Sequence, residues 1–127
     1  DIKAPLNPEA HCQVIGLKNC EKIVENVKRS LDICVERGVS LEIRTTVVPS
    51  LSDREEFIRD IAKTIKGKCN LFFLQQFNPL GDILVPELKA QGFMSRENLL
   101  TLASVALGEG LKEVYIKTQE NGLEKAE

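Results

Sequence analysis

Hydrophobic residues recur along this chain with two different periods. From residue 41 to residue 48 apolar and polar side chains alternate, which is the pattern of a strand with one buried face. The mostly apolar row is Leu41, Ile43, Thr45 and Val47, and the mostly polar row is Glu42, Arg44, Thr46 and Val48. Apolar residues spaced by three and four predict three amphipathic helices, which begin after Asn19, Ser52 and Ser95 and end near Gly38, Gly67 and Gly108.

Three further stretches predict strands. Residues 70–77 are apolar on both faces at first and polar at the end, as in a strand covered on both sides. Residues 112–117 alternate around Val114 and Ile116, and residues 1–4 alternate until Pro5 ends the pattern. The resulting order of strand, helix, strand, helix, strand, helix and strand predicts an α/β fold with a parallel sheet.

Local signals mark the predicted boundaries. Asn19 and Ser95 are predicted helix N-caps, and Ser52 with Glu55 matches a capping box. Two stretches between the elements are predicted loops. One is residues 5–18 with a short helical turn at 8–12, and the other is residues 79–93 with a short turn at 87–90. The polar tail from Thr118 is predicted to fray.

Composition limits the class of protein. A chain of 127 residues with 43% hydrophobic and 28% charged residues is predicted to be one globular domain. A net charge of −2 with both signs interspersed gives no basic stripe, so nucleic-acid binding is not predicted. No stretch approaches the roughly 20 apolar residues of a membrane span, and no secretory signal is recognisable. A cytoplasmic protein is therefore predicted.

The four cysteines are Cys12, Cys20, Cys34 and Cys69, without a C-x-x-C pair among them. Cys20 and Cys34 could share a helix face, but they would lie about 21 Å apart, too far for one metal ion or a disulfide. The cysteines are predicted to be small apolar residues in a reducing compartment, and no metal site is predicted.

Polar side chains of three predicted strands point towards one place. In parallel α/β folds ligands lie at the carboxyl ends of the strands, where Asp1 and Lys3, Arg44 and Thr46, and Gln76 and Asn78 would meet. Lys3 and Arg44 could pair with a carboxylate or phosphate, and Asp1 could orient Lys3. Alternatively, Glu42 neutralises Arg44 within the sheet and there is no site.

Few residues offer chemistry of their own. His11, the single histidine, could be a general acid or base, or merely an exposed loop residue. Neither a Gly-rich phosphate loop nor a nucleophile motif is recognisable. The sequence therefore predicts either a cofactor-assisted enzyme or a binding module.

Four ordered segments resemble the radical S-adenosylmethionine (SAM) family. They are Asp1-Ile2-Lys3, then Asn7-Pro8-Glu9-Ala10-His11 with Gly16, then Ile43-Arg44-Thr45-Thr46-Val47-Val48-Pro49 with Ser52-Asp53, and Leu74-Gln75-Gln76-Phe77-Asn78-Pro79. Within that family the chain is most similar to glycyl-radical-enzyme activating enzymes. The activating proteins of anaerobic ribonucleoside-triphosphate reductase are the nearest type, followed by the pyruvate formate-lyase activases.

The resemblance implies a fold and cofactors. The family folds as a partial (β/α)6 TIM-like barrel, of which residues 1–127 would be a single C-terminal fragment. Its cofactors are SAM and a 4Fe-4S iron-sulfur cluster, whose C-x-x-x-C-x-x-C ligands would lie in the N-terminal half. The chain also opens in mid-pattern at Asp1, which fits a longer protein. In this family, reductive cleavage of SAM gives a 5′-deoxyadenosyl radical that takes hydrogen from a glycine of the partner, a glycyl radical enzyme.

The resemblance also assigns cofactor-binding residues. Asp1 and Lys3 fall on the family's D-x-K strand, where the lysine helps hold SAM and the aspartate lies by the SAM and cation region. Arg44 and Thr46 fall on SAM-lining positions of the next strand, with Thr46 near the adenine. Asn78 falls where relatives often carry histidine or arginine.

Two more residues are assigned to the substrate side, and one departs from the family pattern. His11 and Gly16 match a loop on the side of the substrate peptide. Ser50 stands where a glycine commonly follows the proline, which is a small change.

Two hypotheses follow from the sequence. The first is the SAM-binding half of a radical SAM activase, inactive as an isolated fragment. The second is a non-catalytic α/β module whose polar row holds an anion or a partner peptide. Because a half barrel exposes sheet edges, the isolated fragment is also expected to self-associate.

Overall fold

The computed structural model describes all 127 residues as one α/β unit. Its helices are α1 (Pro8–Ile15), α2 (Glu21–Glu36), α3 (Glu55–Ile65) and α4 (Arg96–Gly108), with a 3-10 helix at Pro86–Gln91. Its strands are β1 (Glu42–Val47), β2 (Leu71–Gln76), β3 (Val114–Thr118) and β4 (Gly122–Lys125).

The four strands form one sheet in the order β1-β2-β3-β4. β1, β2 and β3 are parallel, each joined to the next through a helix, and β4 is antiparallel to β3. The predicted α/β fold with a parallel sheet is therefore confirmed.

The core lies between the sheet and its helices. The inward row of β1, Ile43, Thr45 and Val47, is buried, and helices α3 and α4 contribute apolar side chains against the same face. Fully burying one such side chain contributes about 1.5–3 kcal/mol, so this face holds the domain together. The opposite row of β1, Glu42, Arg44 and Thr46, remains exposed or half-exposed, and we call this side the open face.

Residues 1–4 do not form the predicted strand. The Ile2 backbone N–H donates to the Arg44 carbonyl over 2.9 Å, and the buried Thr45 hydroxyl donates to the Ile2 carbonyl over 2.8 Å. The segment thus lies beside β1, but Pro5 has no N–H and ends the pairing before a ladder can develop.

The prediction that the tail from Thr118 frays is wrong, because β4 pairs with β3. Thr118 is buried, and its hydroxyl accepts from the Asn121 N–H over 3.1 Å, which closes the turn between the strands. Ala126 is buried, and its N–H donates to the Val114 carbonyl over 2.8 Å. An antiparallel neighbour needs only a short turn, so even a mostly polar segment can join the sheet.

The predicted caps are partly right. The Ser95 hydroxyl accepts from the Asn98 N–H over 3.2 Å and caps α4 as predicted. The predicted capping box is wrong, because the buried Ser52 hydroxyl accepts instead from the Val48 N–H over 2.8 Å. Helix α2 is preceded by Cys20, not by Asn19, and has no side-chain cap.

Two departures concern the loops. Residues 8–15 form the whole of helix α1, where only a short turn within a loop was predicted; Asn7 caps it by accepting from the Ala10 N–H over 2.9 Å. Ser50 has a φ of 64°, the one left-handed residue that is not glycine. The glycine of the family would occupy this position without strain, so the substitution is not small in conformational terms.

Two cysteines are bonded to each other. Cys12 of α1 and Cys20, just before α2, form a disulfide with Cα atoms 5.7 Å apart. The prediction that all four cysteines are isolated apolar residues is wrong for this pair, because the connection between α1 and α2 folds back on itself. Cys34 and Cys69 are free, and burial raises the pKa of the Cys69 thiol.

None of the helices combines the length and the apolar composition that crossing a membrane requires.

Ion pairs fix β4 and predict a pH dependence of stability. Arg96 binds both carboxylate oxygens of Glu124, and this hydrogen bonding lowers the pKa of Glu124. Since a lowered folded pKa stabilises the fold above the unfolded glutamate pKa of about 4.3, that stability is lost as the pH falls through the folded pKa. We expect Glu124→Gln to melt below the wild type at pH 7, with a gap that narrows below about pH 4.

Circular dichroism melts from neutral pH into acid measure this gap. Glu120→Gln is the control, since Glu120 is exposed on the β3–β4 turn that precedes β4 and has no ion pair. A gap of constant size across the whole pH range would contradict the prediction.

Candidate functional site

The candidate site lies on the open face, at the carboxyl ends of the three parallel strands. Thr46 of β1 is in register with Gln75 of β2, and Gln75 is in register with Lys117 of β3. Because residues in register project to the same face of a sheet, these three side chains form one row across it. The row joins three adjoining depressions.

The first depression, which we call the amide cleft, has a volume of about 200 Å³. It contains four carboxamide side chains, one lysine and one aromatic ring; its residues are Thr46, Gln75, Gln76, Asn78, Phe93, Lys117, Thr118 and Gln119. Gln76 connects its walls, donating to the Met94 carbonyl over 2.6 Å and accepting from the Gln119 N–H over 2.8 Å. Gln76 thereby fixes the end of β2 relative to the β3–β4 turn.

The second depression, the apolar cavity, has a volume of about 350 Å³. It shares Thr46 with the amide cleft, and six of its eight lining residues are hydrophobic. The eight lining residues are Lys3, Val14, Ile15, Thr46, Val48, Leu51, Phe77 and Leu88. Lys3 is its only charged group. Helix α1 supplies Val14 and Ile15, so the position of α1 shapes this cavity.

The Lys3 side chain, which lines the apolar cavity, is paired with Asp1, which lies outside the lining. The Lys3 Nζ lies 3.5 Å from an Asp1 carboxylate oxygen, and each side chain is about half exposed. This is the geometry in which Asp1 would orient Lys3, and the half-exposed ammonium remains accessible to solvent.

Arg44 lies in a third depression, the Arg44 cleft of about 250 Å³, and not in the cavity with Lys3. Its residues are Glu42, Arg44, Phe73, Gln75, Lys117 and Leu123. The Arg44 guanidinium donates to the Glu42 carboxylate, so the alternative in which Glu42 neutralises Arg44 describes the observed pairing.

The remaining predicted residues are spread more widely. Asn78 lines the amide cleft, and its Oδ1 accepts from the Leu80 N–H over 2.9 Å. His11 is buried in α1 and not exposed in a loop, with its Nδ1 3.4 Å from the Pro5 carbonyl oxygen. Gly16 ends α1 with a φ of 73°. The structure therefore places neither His11 nor Gly16 in the lining of these three depressions.

Several lining residues were not predicted as site residues from the sequence. Lys117 and Gln75 line both the amide cleft and the Arg44 cleft, and Gln119 follows on the β3–β4 turn. The alternation around Val114 and Ile116 could have indicated Lys117, because it places this residue on the face opposite the core. Which side chains lie beside Lys117 on that face depends on how strands distant in sequence pair with β3.

The structure contains no group of three or more His, Cys, Asp or Glu side chains arranged to hold a metal ion. The residues present therefore do not fit a 4Fe-4S cluster.

Comparison with known proteins identifies a relative. No protein-family model matches the chain. The chain is 37% identical over 86 residues to a protein of Methanocaldococcus jannaschii named "Putative glycyl-radical enzyme activating enzyme". The match covers 68% of this chain and 35% of the relative, so the chain spans about a third of the relative's length. The predicted resemblance to glycyl-radical-enzyme activating enzymes is thereby confirmed, while the narrower type and the C-terminal half stay predictions.

Proposed function

We propose that this chain, a relative of glycyl-radical-enzyme activating enzymes, is the SAM-binding part of a radical SAM activase that generates a glycyl radical on a partner enzyme. It would form the C-terminal half of a partial (β/α)6 barrel, with the open face as the lumen. The observation that carries the proposal is that Lys3 and Thr46, on neighbouring segments, line one otherwise apolar cavity.

The apolar cavity fits the chemistry of SAM. Its volume of about 350 Å³ lies within the range of small-ligand pockets. Lys3 would neutralise a carboxylate, and Asp1, which pairs with Lys3 but does not line the cavity, would accept from an amino group. Val48, Leu51 and Phe77 offer apolar surface to an adenine ring, beside the Thr46 hydroxyl. SAM, when bound, supplies the group that takes hydrogen from the partner's glycine.

The iron-sulfur cluster would be held by residues outside this chain, in line with the absence of a fitting ligand set here. We therefore expect the isolated 127 residues to cleave no SAM, and the function belongs to the longer protein. A glycyl radical enzyme as partner and a cytoplasmic location, where the Cys12–Cys20 pair would be kept reduced, are part of the same proposal.

Replacing Lys3 by alanine in the full-length protein tests the proposal. We expect the dissociation constant for SAM to rise about tenfold, because a charge-assisted hydrogen bond to the carboxylate is lost. Isothermal titration calorimetry measures the affinity. The unfolding free energy should change by less than about 0.5 kcal/mol, since Lys3 is half exposed.

Lys28→Ala is the matched control, because Lys28 is an exposed lysine on α2 without an ion pair. Unchanged SAM binding by Lys3→Ala would remove Lys3 from the site.

A second candidate function is a non-catalytic module that binds an anion or a partner peptide. Within this candidate the Arg44–Glu42 pairing favours a partner peptide over a free anion, because it already neutralises one of the two predicted cations. Failure of the wild-type full-length protein to bind SAM, with its fold intact, would favour this candidate over the activase.

A further inference from the structure

We propose that the amide cleft holds an extended peptide segment of the partner protein, with an acidic side chain of that segment against Lys117. This inference rests on the proposed function, because it identifies where the partner is held. Lys117 on β3 and Gln119 on the β3–β4 turn lie outside the first 80 or so residues that carry the sequence resemblance, whereas Thr46, Gln75, Gln76 and Asn78 of the same cleft lie within them.

The cleft presents hydrogen-bonding groups that have no partner within the chain. The side chains of Gln75, Gln119 and Lys117 make no hydrogen bond or ion pair, and Asn78 uses only its Oδ1. Gln76, in contrast, uses both ends of its carboxamide to support the walls. The cleft is thus a fixed frame carrying free donors and acceptors.

A peptide main chain matches these groups better than other ligands do. Each carboxamide offers both a donor and an acceptor, as does each peptide group, so amide side chains can pair with an extended backbone. Phe93 is the single hydrophobic residue of the cleft, which gives little surface for stacking a nucleic-acid base. One lysine without a Gly-rich loop is a poor phosphate site.

The dimensions also suit an extended segment. Thr46, Gln75 and Lys117 lie in register on three adjacent strands, so the outer two are separated by about 10 Å. An extended peptide covers that distance with about three residues. The row can therefore bind consecutive peptide groups of one segment that crosses the strands.

Charge on the open face identifies the side chain that the segment should carry. Three cations project from this face, on β1, β3 and β4. Arg44 is paired with Glu42, and Lys125 is paired with Glu113 over 2.9 Å. Lys117 is exposed and lacks an acidic partner. A carboxylate of the bound segment would give Lys117 an ion pair, as the other two cations already have.

The test uses the full-length protein and a glycyl radical enzyme purified from the same organism. We expect Lys117→Ala to raise the dissociation constant for that enzyme about tenfold in titration calorimetry, and Lys117→Arg to restore it largely. Lys112→Ala is the matched control, because Lys112 is an exposed lysine just before β3 and outside the cleft. Gln75→Leu should weaken binding as well, since it removes a carboxamide.

The outcomes separate this inference from the function on which it rests. Equal affinity of wild type, Lys117→Ala and Gln75→Leu for the partner would overturn the inference and leave the activase intact. A parallel loss of SAM affinity in Lys117→Ala would assign the cleft to the cofactor site and also overturn it. A wild-type protein that binds neither SAM nor the glycyl radical enzyme would refute the activase itself.

Discussion

Cys12→Ser is expected to lower the free energy of unfolding by about 2–3 kcal/mol. The Cys12–Cys20 disulfide joins residues that are 8 positions apart, so it restricts the unfolded chain over a short loop. Helix α1 makes its main contacts with α2 alone among the secondary-structure elements, so no other element replaces the bond. Urea unfolding without reductant measures the loss.

Loss of the Cys12–Cys20 disulfide should also affect the apolar cavity. Because Val14 and Ile15 of α1 line it, a mobile α1 should weaken SAM binding by the full-length protein. Cys34→Ser is the control, since Cys34 is a half-buried free cysteine. Dithiothreitol should bring the wild type to the stability of Cys12→Ser. A wild type that unfolds at the same urea concentration with and without dithiothreitol would contradict the prediction.

Thr45→Val is expected to lower the free energy of unfolding by about 2 kcal/mol. The Thr45 side chain is fully buried, and its hydroxyl donates to the Ile2 carbonyl over 2.8 Å. Valine has nearly the same shape but leaves that carbonyl without its side-chain donor, and an unsatisfied buried acceptor is costly. The loss is local, because the Ile2 carbonyl belongs to the segment that carries Asp1 and Lys3.

Amide hydrogen exchange measures the local effect. In the wild type the Ile2 N–H donates to Arg44 and should be protected, whereas in Thr45→Val it should exchange faster. SAM affinity should fall too, although Thr45 does not line the apolar cavity. Thr64→Val is the control, since its hydroxyl donates within α3 to Asp60. Wild-type protection of the Ile2 amide in Thr45→Val would show that the hydroxyl does not hold the segment.

The sequence by itself determined helices α2, α3 and α4 and the three parallel strands. The alternation in β1 correctly assigned Ile43 and Val47 to the core and Arg44 and Thr46 to the opposite face. The cap at Ser95 was also evident. These features depend on side-chain period and on bonds between residues three or four apart, which are properties of the local sequence. The resemblance to activating enzymes had the same origin, in short ordered motifs.

Only the tertiary structure decided which distant groups meet. The polar tail became β4, Cys12 met Cys20, and Gln76 came to bind residues on two other segments. The separation of Arg44 from Lys3, and the convergence of Gln75 and Lys117, follow from strand order and register. Such contacts depend on the free energy of the whole packed domain, because each one forms only after many other segments have been brought together. No local pattern encodes them.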